Sequence, residues 1–445
     1  MCNAVHRRQG VPEGINTGTV RALRDETIDW RFKGMPANAF GTTAGEFLAQ
    51  RPQLFEAGFV GPLLTLDTAA VEHNLRTMAA WCDEHGLKLA PHGKTTMAPQ
   101  LFQRQLEHGA WGITAATTSQ LRVYRAFGVQ RILFANELVD PQGLAWLSRE
   151  LDADPDFSFC CYADSLRGVE LMAAALTEHG GTRQVDVLVE FGVAGGRTGA
   201  RTVSQARAVA AAVAAEPRLR LVGVSGYEGE VAHDVETSSL SAIDGYLDEF
   251  RALVVEFGEA GYFDQLDEVI VSAGGSAYFD QVAEALTRPW PEGLPVVPVL
   301  RSGGYLLHDD GFYRVRSPFG REHRLAGAES PFRPAMRIWA QVMSQPEADL
   351  ALLTMGRRDV SFDQGLPEPQ VVRGSDGEIR TLVADSCHVS GLADQHAFLT
   401  LTGADVRVGD WVGFGLSHPC TVLDKWTLIP VVEGDEVVDL VRTYF

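Results

Sequence analysis

The chain has 445 residues, 45% hydrophobic and 22% charged, which is ordinary for a globular protein able to bury a core without disulfide staples. Its 58 acidic against 38 basic residues give a formal net charge of -20, a balance that repels nucleic acid and anionic membranes. No Cys-x-x-Cys pair, no run long enough to cross a bilayer and no apolar leader stretch is present, so the expectation is a cytoplasmic protein with free thiols that acts on a small molecule.

Residues 1–61 read as an N-terminal extension of mixed helix and loop signals. From Pro62 onward, β-rich runs alternate with helix-like stretches. The runs are Leu63–Asp67, Leu87–Pro91, Gly112–Thr117, Arg131–Asn136, Phe157–Ala163, Val185–Gly192, Leu219–Tyr227, Glu268–Gly275 and Val296–Tyr305. Val71, Leu75, Met78, Ala79 and Cys82 recur at helical spacing and predict a helix from Thr68 to His85. A second helix is predicted over Ser204–Ala215. Strands alternating with helices predict parallel pairing through right-handed crossovers. With Leu63–Asp67 set aside as a strand that can pair with another domain, eight strands remain, the number in a closed (β/α)8 barrel. That barrel is assigned residues 62–315. Residues 316–445 read as an all-β domain with runs at Ala335–Gln341, Leu350–Thr354, Ile379–Ala384, Trp411–Gly415, Thr421–Pro430 and Glu436–Tyr444.

Lys94 lies just past the second run, in Pro91-His92-Gly93-Lys94-Thr95. In a barrel such a position opens onto the active-site face. A Walker A reading fails because position 88 is Lys88 rather than glycine. The chemistry left is a lysine held to bond a cofactor aldehyde; the alternative is a solvated loop lysine. Two glycine-rich turns follow the last two barrel strands, Gly274-Gly275-Ser276 and Gly303-Gly304-Tyr305. Glycines there let backbone N–H groups converge on a phosphate, with Ser276 and Tyr305 adding hydroxyls; plain tight turns are the alternative. Arg197 is a candidate for a cofactor ring nitrogen or a substrate carboxylate, or simply for a surface ion pair. Tyr227 is a candidate cofactor contact or a core tyrosine. His418 and Cys420, two apart, would share one side of an extended segment, and imidazole with thiolate suits zinc. Cys387, His388 and His396 lie upstream as further candidate ligands or bases, although Cys387 and His388 would face opposite ways in a strand.

Taken together, this ordered series resembles the fold-type III pyridoxal-phosphate enzymes, and most of all the D-serine dehydratase and D-threonine aldolase branch of the alanine racemase-like superfamily. The marks are Leu64-Thr65-Leu66-Asp67, the Lys94 segment, the two glycine turns, Ala393-Asp394-Gln395-His396 and His418-x-Cys420. His92-Gly93-Lys94-Thr95-Thr96-Met97 is also similar to bacterial amino-acid deaminases. The resemblance implies an α/β fold: a pyridoxal-phosphate-binding TIM-like barrel followed by a C-terminal all-β domain carrying a metal. It implies that Lys94 bonds the cofactor. His92, Arg197, Tyr227, Gly275, Ser276, Gly303, Gly304 and Tyr305 would contact the cofactor, and His418 and Cys420 would hold Zn2+ or another divalent ion. The aldolases carry Asp at the second ligand position, so Cys420 favours a dehydratase. The implied reaction removes water from a D-serine-like 3-hydroxy amino acid to give a 2-keto acid and ammonia, with Lys94 as base. Retro-aldol cleavage to glycine and an aldehyde is the alternative, followed by a racemase or a non-catalytic cofactor-binding protein. A homodimer is implied as well. Two departures stand out: Ala90 where the family often has Arg, and Glu230 where many members have His.

Overall fold

The computed structural model describes residues 14–321 and 331–445. Strand β1 (Leu63–Asp67) is followed by eight strands that lie side by side in one parallel sheet. They are β2 (Lys88–Leu89), β3 (Ile113–Ala115), β4 (Arg131–Glu137), β5 (Ser158–Ala163), β6 (Val185–Phe191), β7 (Leu219–Gly226), β8 (Val269–Ala273) and β9 (Val296–Leu300). The order is β2-β9-β8-β7-β6-β5-β4-β3. A His92–Thr114 bridge and the Trp111 N–H to Leu89 carbonyl bond at 2.7 Å draw the two ends together. The result is the TIM-like barrel expected from the β/α alternation. Its strands are apolar along their length, as sheets covered on both faces require. Val187, Leu188, Val189, Val224, Val269 and Val271 are all fully buried.

The first helix shows how the sequence builds this layer. Asp67 caps it, its carboxylate accepting the Ala70 N–H at 2.6 Å, a bond that satisfies one of the free first-turn donors. The helix runs Thr68–Glu84 and buries Val71, Leu75, Met78, Trp81 and Cys82, the face set by helical spacing. Each such side chain contributes about 1.5–3 kcal/mol on burial.

The C-terminal strands are β10 (Met336–Glu347), β11 (Leu350–Leu353), β12 (Glu368–Arg373), β13 (Ile379–Thr381), β14 (Cys387–Leu392), β15 (Ala397–Leu401), β16 (Trp411–Gly415), β17 (Leu428–Glu433) and β18 (Glu436–Arg442). β1 joins this sheet rather than the barrel, antiparallel to β10 and parallel to β17. Strands β12, β14 and β15 were not among the expected runs. The expected strand over Thr421–Pro430 is corrected: Cys420–Leu423 forms a short helix and β17 begins only at Leu428. The reason is Pro419, whose ring holds φ at -52° in the helical region and starts the turn.

Candidate active site

A cavity of about 760 Å³ opens at the C-terminal ends of the barrel strands, roofed by Gln364, His418 and Cys420 of the β-domain. Of the residues singled out from sequence, His92, Lys94, Arg197, Tyr227, Gly275, Ser276, Gly303, Gly304, His418 and Cys420 all line it. Tyr305 does not. Its ring is buried, its hydroxyl meets Gln105 Nε2 at 3.3 Å and its ring centre lies 5.9 Å from that of Phe332. The tyrosine that does line the cavity beside the glycine turns is Tyr313. It lies outside the turn motif that drew attention to Tyr305.

Lys94 sits in a one-turn 3-10 helix, Gly93–Thr95, directly after β2. Gly93 leaves no room for a side chain, since a Cβ there would stand 2.5 Å from the Tyr124 hydroxyl. That packing fixes where the lysine emerges. Beside it, the His92 Nδ1 is enclosed without a hydrogen-bond partner among the described residues. Burial first, then the Lys94, Arg301 and Arg197 cations, hold this imidazole well below its ordinary value, so it is neutral.

The glycine turns form a close-fitting wall. A Cβ on Gly303 would lie 2.8 Å from the His92 carbonyl oxygen, on Gly304 2.7 Å from the Tyr313 ring, and on Gly275 2.9 Å from the Tyr227 ring. Not every N–H is available to an anion. The buried Glu228 carboxylate accepts those of Gly274 and Gly275 at 3.0 and 2.8 Å, and Ser276 Oγ accepts that of Gly304 at 3.1 Å. Gly275 therefore contributes space rather than a donor, a correction to its expected role. The N–H groups of Ser276 and Gly303 have no partner among the described residues.

Arg301 was missed by sequence reading beyond its place at the head of the second turn. It is 3% exposed, donating to Ser272 Oγ at 2.6 Å, Ser225 Oγ at 3.3 Å and the Gly226 carbonyl at 2.6 Å, while its Nε has no partner. All its partners are neutral, so its charge is left for whatever fills the cavity. Arg197 is paired: its Nε lies 2.7 Å from Glu230 Oε1 and its guanidinium 4.8 Å from the Tyr227 ring centre. Burial pushes the Tyr227 hydroxyl up to about 12.

His418 and Cys420 come together, but not on an extended strand. His418 has φ +55° and Pro419 is helical, so a turn brings imidazole and thiol to one side. His418 Nδ1 lies 2.5 Å from Asp363 Oδ2, an arrangement that fixes the ring and its tautomer. The bond to Cys420, with the Asp363 carboxylate behind it, pushes His418 up to about 9. Burial raises the Cys420 thiol, yet its contacts with His418 and Thr95, and the Lys94 charge, outweigh that and leave it below the usual thiol value. Cys420 Sγ lies 3.5 Å from Thr95 Oγ1, one residue from the lysine. Cys387 and His388 take opposite faces of β14, buried and exposed, and with His396 they lie outside the cavity. Among the described residues no group of three or more His, Cys, Asp or Glu is placed to hold a metal ion, so His418 and Cys420 stand as a two-residue candidate.

The cavity fits the expected groups. An unpartnered buried imidazole nitrogen, a glycine wall that excludes side chains, partnerless N–H groups and a lysine at the rim suit pyridoxal phosphate. A paired imidazole and low-lying thiol suit a divalent ion of the zinc type, with positions left open.

Comparison with known proteins identifies the family. Residues 66–289 match the alanine racemase N-terminal domain and residues 335–432 the serine dehydratase domain. The chain is 36% identical over 172 residues to D-threonine aldolase of Arthrobacter sp., a match covering 39% of this chain and 44% of that enzyme. It is 27% identical over 346 residues to 3-hydroxy-D-aspartate aldolase of Paracoccus denitrificans strain Pd 1222, covering 74% and 80%. D-threo-3-hydroxyaspartate dehydratase of Delftia sp. HT23 is 30% identical over 147 residues, covering 31% of this chain and 37% of that enzyme. Its solved structure superposes with a TM-score of 0.68 at 21% identity, covering 88% and 99% of the two chains. The chain belongs to the alanine racemase N-terminal-domain family, the fold-type III pyridoxal-phosphate enzymes, with a serine-dehydratase-type domain at its C-terminus.

Proposed function

We propose that this pyridoxal-phosphate-dependent lyase removes water from a D-3-hydroxy amino acid with a D-serine-like side chain, giving a 2-keto acid and ammonia. The observation that carries the reading is the approach of the two domains at one point: Cys420, paired with His418, stands 3.5 Å from Thr95 beside Lys94. Lys94 would hold the cofactor aldehyde. The N–H groups of Ser276 and Gly303 would hold its phosphate, with Gly304 leaving room for it as Gly275 does, and His92, Tyr227 and Arg301 would border its ring. The cofactor, when bound, supplies the electron sink for charge developing at the substrate α-carbon. His418 and Cys420 would hold a divalent ion, which supplies Lewis acidity toward a β-hydroxyl.

The chain's own groups then divide the work. The Lys94 amine takes the α-proton as general base. Neutral His92 beneath it adds no positive charge to oppose protonation of that amine. Asp363 keeps the His418 ring oriented through Nδ1, so the side of the ring that meets Cys420 is the one that would take the ion. The β-domain roof of Gln364, His418 and Cys420 would limit water over a bound substrate. The protein is read as a homodimer in the cytoplasm. Among the described residues no helix is long and apolar enough to cross a membrane.

Retro-aldol cleavage is the second reading, supported by the two aldolase relatives. It needs a base free to take the β-hydroxyl proton. Glu230, at the position where many family members have His, is tied to Arg197 at 2.7 Å, and this favours dehydration. The test is product analysis with D-serine, D-threonine and D-threo-3-hydroxyaspartate, with and without a chelator. Keto acid and ammonia that vanish on chelation and return with Zn2+ are expected. Glycine and an aldehyde as the main products would replace the dehydratase reading with the aldolase one.

A further inference from the structure

The loop after β9 carries a buried carboxylate that the reaction scheme leaves unused. Asp309 is fully buried and accepts three backbone N–H groups from two domains. Its Oδ1 takes those of Gly311 at 3.0 Å and Tyr313 at 2.8 Å, and its Oδ2 takes that of His418 at 3.1 Å. The His418 backbone is left-handed, with φ +55°, a conformation uncommon for a residue with a side chain and one that needs support from its surroundings. Neighbouring bonds seam the same two segments. The Asp310 N–H reaches the Leu416 carbonyl at 2.9 Å, and Ser417 Oγ accepts the Phe312 N–H at 3.1 Å. Tyr313, held by Asp309 through its backbone, presses its ring against Gly304 on the phosphate side of the cavity.

We infer that Asp309 is a positioning residue: one carboxylate fixes both the backbone of the metal ligand His418 and the cavity tyrosine Tyr313, and so couples metal retention to the phosphate end of the cofactor cavity. A carboxylate bonded to three N–H groups is strong enough for this, because bonds to a charged acceptor are roughly twice as strong as neutral ones. Asn at this position keeps the shape but turns one acceptor into a donor aimed at an N–H. The inference rests on the reading of His418 and Cys420 as metal ligands.

The test uses the cofactor-loaded protein, stripped of metal and titrated with Co2+, whose bond to a cysteine thiolate gives a near-ultraviolet charge-transfer band. Asp309→Asn is expected to weaken Co2+ binding about 10–100-fold, the usual cost of losing an outer-shell support, and to loosen pyridoxal phosphate in an equilibrium-dialysis measurement. Asp310→Asn is the control. Asp310 is the next residue and bonds Gln370 Nε2 at 2.7 Å, so it should leave Co2+ affinity unchanged. Equal losses in both variants, or an undisturbed band in Asp309→Asn, would overturn the assignment. No band in the wild type would instead sink the metal reading, and the role of Asp309 with it. Hydrogen exchange on the wild type covers the case of a variant that does not fold. Zn2+ addition should protect residues 309–313 together with 416–420; protection of 416–420 alone would also overturn the inference.

Discussion

Arg197 shows how a single ion pair sets what a cavity can accept. Its side chain is 61% exposed and Glu230 neutralises it at the rim. An exposed pair of this kind adds little stability, so its consequence lies in the charge it cancels. With Glu230 in place Arg197 is not free to meet a second carboxylate, in keeping with the proposed serine-like substrate rather than a hydroxyaspartate. Glu230→Gln should release Arg197 and raise kcat/KM for D-threo-3-hydroxyaspartate relative to D-serine roughly fivefold, the equivalent of about 1 kcal/mol of added attraction. An unchanged ratio in competition assays would mean that Arg197 does not face the β-substituent.

At the scale of elements, parallel strands in register bring like groups to one end. Glu137 closes β4 and Glu190 lies near the end of β6, with Asp164 just past β5. Burial first, then the charge of Glu190, pushes Glu137 up to about 9. Its folded pKa lies above its unfolded value of 4.5. The native state therefore holds a proton that the unfolded chain has released, and the stability from this group, complete below about pH 4.5, falls as pH rises to about 9. Glu137→Gln should be more stable than the wild type above neutrality, on the order of a few kcal/mol. In urea unfolding the gap should widen from pH 5 through 7 to 9; a constant gap would show that Glu137 titrates normally. The same strand ends explain what sequence could and could not reveal. Lys94 and the glycine turns were legible because each follows a strand in a barrel, where position alone implies the active-site face. Arg301 was not, because nothing local separates a buried arginine with neutral partners from a surface one. His418 and Cys420 were found by chemistry but misplaced in geometry, since a left-handed histidine before a helical proline leaves no pattern of alternation. Strands β14 and β15 alternate buried and exposed residues, but Gly391 at a register irregularity and the apolar Phe398 on the exposed face blur that alternation in the sequence.

The whole molecule is stitched by a strand far from its partners in sequence. β1 lies between β10 and β17, pairing Leu63 with Trp339 and Leu66 with Val431. The residues before it cover the same sheet: Ile28, Phe32, Met35, Phe47, Leu54 and Phe59 pack with Leu63, Trp339, Leu428, Val437 and Leu440 in a second core. Lys33 extends that cover toward the loop of His418 and Cys420, 2.9 Å from Asp359 and 3.9 Å over the ring of Trp426, which lies just beyond the Cys420–Leu423 helix. Residues 28–59 are thus part of the β-domain, although the whole barrel separates the two in sequence, while Ile15 and Val20 before them pack with the barrel core. Without β1 and that cover, β10 and β17 present unpaired edges and an apolar face, both conditions for aggregation. A fragment of residues 331–445 alone should lack a cooperative unfolding transition and bind a hydrophobic dye, and a second fragment of residues 14–67 added in trans should restore near-ultraviolet circular dichroism. Cooperative unfolding of 331–445 by itself would show that β1 and its extension decorate a sheet already stable. Restoration in trans would show instead that the sheet presenting His418 and Cys420 to Lys94 is completed only once both ends of the chain have met.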